Sequence, residues 1–338
     1  MTKTPGATWD LVTVGRVNMD LIAREIGAEF ADVSSFDATV GGSPTNIAIA
    51  TARLGLRTIA FTAVGEDRVG DFVLRYLRDE GVETSYIPRK SGKLTSLALL
   101  GVQPPDEFPL SFYREDPADI HLTVTDAQQL PCAGIAAQML SGNAFSRGSC
   151  ADAALACAEH AERLGRTVYL DLDLRPTDWS DPGAFGLRMR SVLPLVDVAI
   201  GTEEEFHAAL AEDPDIVTGG EPLPDASLEA LDERVSSLVS AGTVATVVLK
   251  RGPEGVTVFD EGERYDVPGF GVEVVNTVGA GDAFASGLVR TRTRGGDWPD
   301  AARFANACGA IQVTRHGCAV AFPTEHDVRT FLEEQEQR

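Results

Sequence analysis

The sequence predicts an α/β protein with a central, mostly parallel sheet flanked by helices and a small β-strand lid. Strand patterns and helical patterns alternate along most of the 338 residues, which is typical of a parallel sheet covered on both faces. Two segments, about 20–39 and 86–114, interrupt this alternation with extended, turn-rich sequence and are interpreted as the lid. No flexible linker divides the chain, so residues 1–338 are predicted to form a single domain.

Local signals place the elements of the amino-terminal half. Residues 9–15 form an apolar run that predicts a first, buried strand. Ser43 and Pro44 predict a helix start, with serine as the N-cap and proline at the first helical position, and Gly55 ends this helix. The next strand and helix are predicted over residues 58–64 and 71–80. Within the second interruption, residues 95–100 and 110–113 look like strands that are joined through residues 104–106.

The alternation of strands and helices resumes after residue 150. The predicted strands cover 168–174, 196–200 and 244–249, with a hairpin over 255–259 and 264–268. Helices are predicted over about 151–164, from near Thr202, and from Asp282, Asp300 and Thr324. The segment 213–227 is rich in proline, glycine and acidic residues and predicts an exposed loop.

Composition and charge exclude several classes of function. The formal net charge of -22 argues against nucleic acid or an anionic membrane surface as a partner. No apolar run is long enough to span a bilayer, and the first residues lack the pattern of a secretory signal, so we expect a cytoplasmic protein. The five cysteines form no Cys-x-x-Cys pair and no cluster with histidine, which favours free thiols over a metal site.

One segment carries the sharpest chemical signal. Gly279, Ala280 and Gly281 lie directly before a predicted helix, so their backbone N–H groups can converge on an anion. Asp282 follows them, and its carboxylate is suited to accept the proton of a hydroxyl that attacks a phosphoryl group held by those amides. On this segment alone, a turn with Asp282 as a plain N-cap explains the pattern equally well.

Two better-known phosphate-binding motifs do not fit the chain. Gly92 and Lys93 are followed by Leu94, which breaks the P-loop pattern, and Phe284 stands where Gly-x-Gly-x-x-Gly needs its last glycine. A P-loop enzyme or a Rossmann dehydrogenase is therefore disfavoured.

Two further segments supply candidate substrate contacts. Gly41 and Gly42 precede a helix and permit close backbone approach to a ligand, and Asn46 lies in the first turn of that helix. Asn18 and Asp20 follow the first strand, where an amide and a carboxylate can bind adjacent hydroxyls of a polyol. Taken singly, each feature is also compatible with a cap or a turn.

Two patterns more than 200 residues apart resemble the two signatures of the ribokinase-like (PfkB) carbohydrate kinases. The first comprises Gly41, Gly42, Pro44, Asn46, Ala48, Gly55 and Gly65. The second comprises Asn276, Thr277, Gly279, Ala280, Gly281, Asp282, Gly287, Leu288 and Val289. The resemblance covers roughly residues 10–323 and implies the ribokinase-like fold.

The resemblance also implies ATP as the phosphoryl donor, Mg²⁺, and a role for each matching residue. Asp282 resembles the catalytic base, and the amides of Gly279, Ala280 and Gly281 resemble the anion hole. The implied substrate contacts are Asn18, Asp20, Gly41, Gly42, Asn46 and Arg175, the last in an Asp-x-Asp-x-Arg segment with Asp173 in the family's usual Asn place. The implied nucleotide contacts are Thr202, Glu205, Lys250, Gly252, Gly255 and Asn306, with Glu205 organising Mg²⁺ through water.

Two departures from the family pattern narrow these expectations. Thr202 replaces an asparagine, which puts its phosphate contact in doubt. Asn276 stands where many relatives carry an aspartate beside a monovalent cation such as K⁺. An amide supplies an oxygen but no charge, so cation activation is expected to be weaker or absent.

Several segments resemble the branch of the family that phosphorylates 5-dehydro-2-deoxygluconate, a sugar acid of myo-inositol catabolism. They are residues 14–21, 112–115, 201–205 and 315–319. A positively charged side chain should bind the substrate carboxylate. Arg114 is the first candidate, followed by Arg16 and Arg175.

Relatives that act on 2-keto-3-deoxygluconate are the alternative within the family, together with ribokinase-like, fructokinase-like and nucleoside kinases. The competing class is a sugar-acid or nucleotide sensor that has kept the fold and lost phosphoryl transfer. Lids of this family often pair between two subunits, so the resemblance implies a homodimer.

Overall fold

The computed structural model describes residues 8–102, 109–179, 181, 183–211 and 225–337. In chain order, the strands are β1 (Trp9–Val14), β2 (Asn18–Ala23), β3 (Phe36–Gly41), β4 (Thr58–Phe61), β5 (Val64–Gly65), β6 (Arg89–Lys90), β7 (Ser96–Leu100), β8 (Leu110–Tyr113), β9 (Ile135–Ser141), β10 (Thr167–Asp171), β11 (Val198–Thr202), β12 (Thr246–Lys250), β13 (Gly255–Asp260) and β14 (Glu263–Pro268). The α-helices are α1 (Ser43–Arg53), α2 (Arg68–Asp79), α3 (Val124–Ala127), α4 (Cys150–Arg163), α5 (Ala184–Val192), α6 (Glu203–Leu210), α7 (Asp225–Ser240), α8 (Ala280–Thr293), α9 (Trp298–Val313) and α10 (Glu325–Glu336). Within the described residues, none of these helices combines the length and apolar character needed to cross a membrane.

The main sheet has eight strands in the order β14-β13-β12-β11-β10-β9-β1-β4. The six strands from β12 to β4 run parallel, and β13 and β14 extend the sheet as an antiparallel hairpin. The predicted mostly parallel sheet is therefore confirmed. Because parallel strands end at the same edge, the segments that follow β1, β9, β10, β11 and β12 are brought together there.

Both faces of the main sheet are buried, since successive residues of a strand point to opposite sides. In β1, Leu11 belongs to an apolar cluster with Leu288 of α8 and Ala305 of α9. The next residue, Val12, belongs to a cluster with Ala154 of α4 on the other face. Burial on both faces explains why these strands are continuous apolar runs in the sequence.

A second sheet, here called the lid sheet, has the strand order β3-β2-β7-β8. Strand β2 pairs antiparallel with β3 and parallel with β7, and β7 pairs antiparallel with β8. These strands fall in or beside the two segments that the sequence assigns to the lid. Because β2 begins at Asn18 and β3 ends at Gly41, the register places Asn18 opposite Gly41 at the end of the lid sheet nearest the main sheet.

Two helix starts differ from the sequence-based prediction. Ser43 is the first residue of α1 rather than its N-cap; Gly42, with a φ of 98°, takes the cap position. Helix α2 begins at Arg68 because the side chain of Asp67 accepts a hydrogen bond from Gly70 N at 2.6 Å.

Other element boundaries also differ. The predicted strand over 58–64 is divided, because Val64 pairs with Arg89 of β6 instead of continuing in the main sheet. Residues 104–106, predicted to join two lid strands, lie outside the described residues. So does most of the predicted loop over 213–227, and α7 begins at Asp225 inside that range.

Candidate active site

A cavity of about 370 Å³ lies where the main sheet, the lid sheet and the start of α8 meet. Strand β1 is followed in the sheet by β4 on one side and by β9 on the other, so the strand order reverses at this position. Crevices at such reversals are the usual ligand sites of open α/β sheets. The sequence-predicted residues that line the cavity are Arg16, Asn18, Asp20, Gly42, Asn46, Arg175, Gly279, Gly281 and Asp282.

Asp282 lies in the first turn of α8, at the cavity wall. Helix α8 begins at Ala280, and Gly279 is its N-cap with a left-handed φ of 80°, so Asp282 is a helical residue and not the cap. The amide nitrogen Nδ2 of Asn46 donates to Oδ2 of Asp282 at 2.8 Å, which joins the first turns of α1 and α8. This contact brings together two motifs that are 236 residues apart.

The environment of Asp282 makes its carboxylate more basic than an exposed one. Burial raises the pKa of Asp282, and the negative charge of Asp173 raises it further. The hydrogen bond from Asn46 and the charge of Arg175 act in the opposite direction. A buried carboxylate with a raised pKa, oriented by the hydrogen bond from Asn46, is suited to take a proton from an alcohol.

The predicted anion hole lies at the start of α8. The first N–H groups of a helix have no acceptor within that helix, so they can receive an anion. Ala280 N also donates to Thr277 O, but at 3.3 Å this turn hydrogen bond is long. The ammonium of Lys250 lies beside this turn: a Cβ added at Gly281 would be 3.5 Å from Lys250 Nζ. Lys250 thus adds a full positive charge to the helix end.

Lys250 is held between two carboxylates, that of Asp171 at the end of β10 and that of Glu205 in the first turn of α6. Its Nζ lies 3.4 Å from Asp171 Oδ1 and 3.7 Å from Glu205 Oε2. Burial raises the pKa of Asp171 to about 7, although Lys250 opposes that rise. Burial alone would lower the pKa of Lys250, but the charges of Asp171 and Glu205 outweigh it and keep the amine protonated. Asp171 opens the Asp-x-Asp-x-Arg segment of the sequence, whereas the pairing of Asp171 with Lys250 depends on strand order.

Thr202 and Glu205 form a capping box at the start of α6. Thr202 Oγ1 accepts from Glu205 N at 3.2 Å, and Glu205 Oε2 accepts from Thr202 N at 2.8 Å. Glu205 Oε1 accepts from Leu174 N at 3.1 Å. With both oxygens already bound to amides, Glu205 is suited to hold Mg²⁺ through water rather than directly. Within the described part of the chain, no three Asp, Glu, His or Cys side chains are arranged to hold a metal ion directly.

Asn18 and Asp20 face the cavity from the lid strand β2. Asn18 Nδ2 donates to Asp20 Oδ1, and both side chains are buried. Burial raises the pKa of Asp20 to about 7, against the charge of Arg16 and the hydrogen bond from Asn18. Gly41 does not line the cavity, but a Cβ there would overlap the Asp20 carboxylate. Gly41 is therefore required for the position of Asp20.

The structure changes the order of the candidate cations for a substrate carboxylate. Arg114 is outside the lining of the Asp282 cavity; it is buried, and its Nη1 pairs with Asp119 Oδ2 at 2.7 Å. It lines a neighbouring cavity of about 840 Å³ instead. Arg16 and Arg175 both line the Asp282 cavity, and Arg175 is half-exposed. Both therefore take precedence over Arg114.

Arg16 and Arg175 are each held by an aspartate. Arg16 Nη1 pairs with Asp178 Oδ2 at 2.8 Å. Arg175 Nη2 lies 3.1 Å from Asp173 Oδ1. Asp173 has a φ of 37°, a conformation that non-glycine residues adopt at a cost and that concentrates at functional sites. No local sequence pattern would have indicated the partner Asp178.

The remaining nucleotide candidates do not line the Asp282 cavity. Asn306 Nδ2 donates to Val267 O at 3.1 Å and Pro268 O at 3.0 Å, which fastens α9 to the end of β14. Gly255, with a φ of 105°, permits a close backbone crossing with Val267, whereas Gly252 has open space around it. Their roles in nucleotide binding stay predictions.

Comparisons with known proteins identify the family of the chain. The model of the pfkB family of carbohydrate kinases matches residues 9–325, so the chain belongs to that family. A 5-dehydro-2-deoxygluconokinase of Geobacillus kaustophilus is 31% identical over 329 residues, covering 96% of this chain and 94% of its own. One from Bacillus anthracis is 30% identical over 331 residues, covering 97% and 96%.

A solved structure gives the same picture of the fold. A double-mutant fructokinase of Vibrio cholerae O395, bound to fructose, ADP and potassium ion, superposes with a TM-score of 0.79. It is 25% identical, and the match covers 96% of this chain and 99% of that one. The protein is therefore a carbohydrate kinase with the ribokinase-like fold.

Asp20→Asn should stabilise the protein in a pH-dependent way. The folded-state pKa of about 7 lies above the ordinary 3.8, so the stability contributed by protonated Asp20 is lost as pH rises from about 4 to about 7. Asparagine cannot ionise, and the variant should therefore gain a few kcal/mol in free energy of unfolding at pH 8 and less at pH 5.5. Urea denaturation at both pH values measures this. Asp37→Asn, an exposed carboxylate in the same sheet, is the control; an equal gain for Asp20→Asn at both pH values would contradict the assignment.

Proposed function

We propose that this carbohydrate kinase transfers the γ-phosphoryl group of ATP to the 6-hydroxyl of 5-dehydro-2-deoxygluconate, giving the 6-phosphate and ADP. The observation that carries the proposal is the position of Asp282, which lies in the first turn of α8 and lines the same cavity as Asn18, Asp20 and Asn46. The names and near full-length coverage of the curated relatives support the choice of substrate.

In the proposed reaction, Asp282 acts as the general base. As the substrate oxygen forms its bond to the γ-phosphorus, its O–H bond breaks and the proton passes to Asp282. The bond from the γ-phosphorus to the bridging oxygen breaks, and ADP leaves with that electron pair. Asn46 fixes the carboxylate by its 2.8 Å hydrogen bond, so the base keeps its direction while the hydroxyl approaches.

The developing charge on the transferred group is met by this chain's own donors. The amides at the start of α8 point to the phosphoryl group, and Lys250 adds its charge from beside Gly281. Glu205 would hold a water ligand of Mg²⁺ bound with ATP, and the metal ion would supply neutralisation of phosphate charge. Strands of the lid sheet line the cavity through Ala98, Leu100 and Phe112, and these apolar side chains would limit the access of water to the reaction.

Substrate recognition is assigned to two groups of side chains. Asn18 and Asp20 offer an amide and a carboxylate to adjacent hydroxyls of the acceptor. Arg16 and Arg175 bring two guanidinium groups to the same cavity, where a substrate carboxylate can accept their hydrogen bonds. A neutral ketose has no carboxylate to accept from these guanidinium groups, which would then keep only their ion pairs with Asp178 and Asp173.

The same pair of arginines also suits 2-keto-3-deoxygluconate, which is the alternative acceptor. An ADP-release screen over the two acids, neutral ketoses and nucleosides separates the candidates. We expect 5-dehydro-2-deoxygluconate to give the highest kcat/KM, and ribose, fructose or adenosine outperforming both acids would refute the sugar-acid assignment. A cytoplasmic location and a homodimer stay predictions from the sequence.

Asp282→Asn should lower kcat by roughly 10²- to 10⁴-fold while leaving ligand affinity largely intact, because an amide cannot take the hydroxyl proton. ADP release measures turnover, and calorimetry measures binding of the acid. Asp197→Asn is the matched control, since Asp197 accepts a hydrogen bond from Val168 N at the opposite end of the sheet. Near-normal turnover of Asp282→Asn would refute Asp282 as the general base.

Arg175→Met should raise the KM for the acid by roughly 10- to 100-fold, which corresponds to a lost hydrogen bond between charged groups. The KM for a poorly used neutral ketose should change much less, because that substrate has no carboxylate. Arg303→Met, another partly exposed and salt-bridged arginine, is the control. An equal rise for acid and ketose would indicate a general structural effect instead.

A further inference from the structure

A buried glutamine lies directly behind the proposed anion hole. Gln312, on α9, has no exposed surface, and its Nε2 donates to Val278 O and Gly317 O, both at 3.1 Å. A third carbonyl oxygen, that of Cys318, lies 3.4 Å from the same nitrogen. Three backbone carbonyls from two separate loops therefore converge on one side-chain amide.

The contact with Val278 fixes the direction of an anion-hole donor. The carbonyl of Val278 and the N–H of Gly279 belong to one planar peptide group and point in opposite directions. Holding that carbonyl on Gln312 therefore turns the Gly279 N–H away from Gln312. The two residues are in close contact, since a Cβ added at Gly279 would lie 3.2 Å from Gln312 Nε2.

A second side-chain amide reinforces the same turn. Asn276 Nδ2 donates to Gly317 O at 3.1 Å, and its Oδ1 accepts from Val278 N at 2.9 Å. The carbonyl of Gly317 thus receives two amide donors. The side-chain oxygen of Asn276, which the sequence suggested as a ligand of a monovalent cation, instead accepts a hydrogen bond from the backbone of the turn.

Converging carbonyl oxygens are the ligands that hard cations take in proteins. In this chain the place among the carbonyls of Val278, Gly317 and Cys318 is filled by the Gln312 amide, which has two hydrogens to offer them. A cation at that place would have to displace the glutamine side chain and leave it buried without partners, which is unfavourable. These residues do not fit a bound monovalent cation.

We propose that Gln312, together with Asn276, takes the place of an activating monovalent cation and holds the turn that carries the anion hole. Gln312 is thus a positioning residue, and phosphoryl transfer by this protein does not require K⁺. The inference rests on the proposed role of the Gly279–Gly281 amides. Neutral amides bring no net charge, so the nearby positive charge comes from Lys250, beside Gly281.

The first test compares the wild-type protein in KCl, NaCl and tetramethylammonium chloride at equal ionic strength. We expect kcat to agree within about two-fold across the three salts. The melting temperature of the ligand-free protein should also be the same in KCl and tetramethylammonium chloride, because no cation binds the turn. Stimulation of wild-type kcat by K⁺ well beyond two-fold would overturn the proposal.

The second test uses Gln312→Ala, which removes the side-chain amide from among the three carbonyls. In tetramethylammonium chloride the variant should lose kcat by roughly 10- to 100-fold, and K⁺ should restore part of that loss by entering the vacated place. Its melting temperature should rise in KCl by about 2–4 °C. Gln138→Ala, which truncates another buried glutamine in β9, is the matched control and should show no response to K⁺.

Two outcomes of this second test would also overturn the proposal. A folded Gln312→Ala with unchanged kcat in all three salts would show that the glutamine does not position the anion hole. An identical K⁺ response of Gln138→Ala would show a general salt effect. If Gln312→Ala does not fold, Gln312→Met keeps the volume without the donors and should lose kcat without rescue by K⁺. The melting experiment does not depend on the acceptor sugar, so it separates failure of this proposal from failure of the substrate assignment.

Discussion

The hydrogen bond between Asn46 and Asp282 is the contact on which the site depends. It joins the first turns of α1 and α8, and each of these turns carries one of the two glycine-rich patterns of the sequence. A carboxylate at the amino end of a helix would ordinarily be stabilised in its charged form. Here burial and the charge of Asp173 raise the pKa of Asp282 despite that position. Asp282 is thus a buried carboxylate with a raised pKa at the start of the helix whose amides are proposed to bind the phosphate.

With a net charge of -22, the chain as a whole repels a polyphosphate such as ATP. A positive charge within the site offsets that repulsion. Lys250 lies beside the helix end and is kept protonated by Asp171 and Glu205. Each of these three residues lies at or just beyond the carboxyl end of a different parallel strand. The parallel order of the sheet therefore assembles the charge balance, although the residues are far apart in the sequence.

The lid sheet contributes more than a cover, because its strands carry the proposed acceptor contacts. Asn18 opens β2 and pairs in register with Gly41 at the end of β3. Just before β2, Arg16 pairs with Asp178, and Asp178 Oδ1 lies 3.8 Å from Nε of Arg114. A buried ion-pair network thus ties the lid to the loop after β10. Arg114 is held in this network outside the lining of the Asp282 cavity, whereas Arg16 belongs to the same network and also lines that cavity.

The sequence by itself determined the fold class, the lid segments and the residues of the two glycine-rich turns, because these follow from local periodicity, small residues and helix starts. It also indicated Asp282 as a base and placed Asn18, Asp20 and Asn46 as candidate substrate contacts, which the structure brings to one cavity. Only the tertiary structure decided the partners of the charged groups. Arg16 with Asp178, Lys250 with Asp171, and Gln312 with the carbonyls of a distant turn are set by strand order and helix packing. Such pairings join residues tens to hundreds of positions apart, and no local pattern in the sequence encodes them.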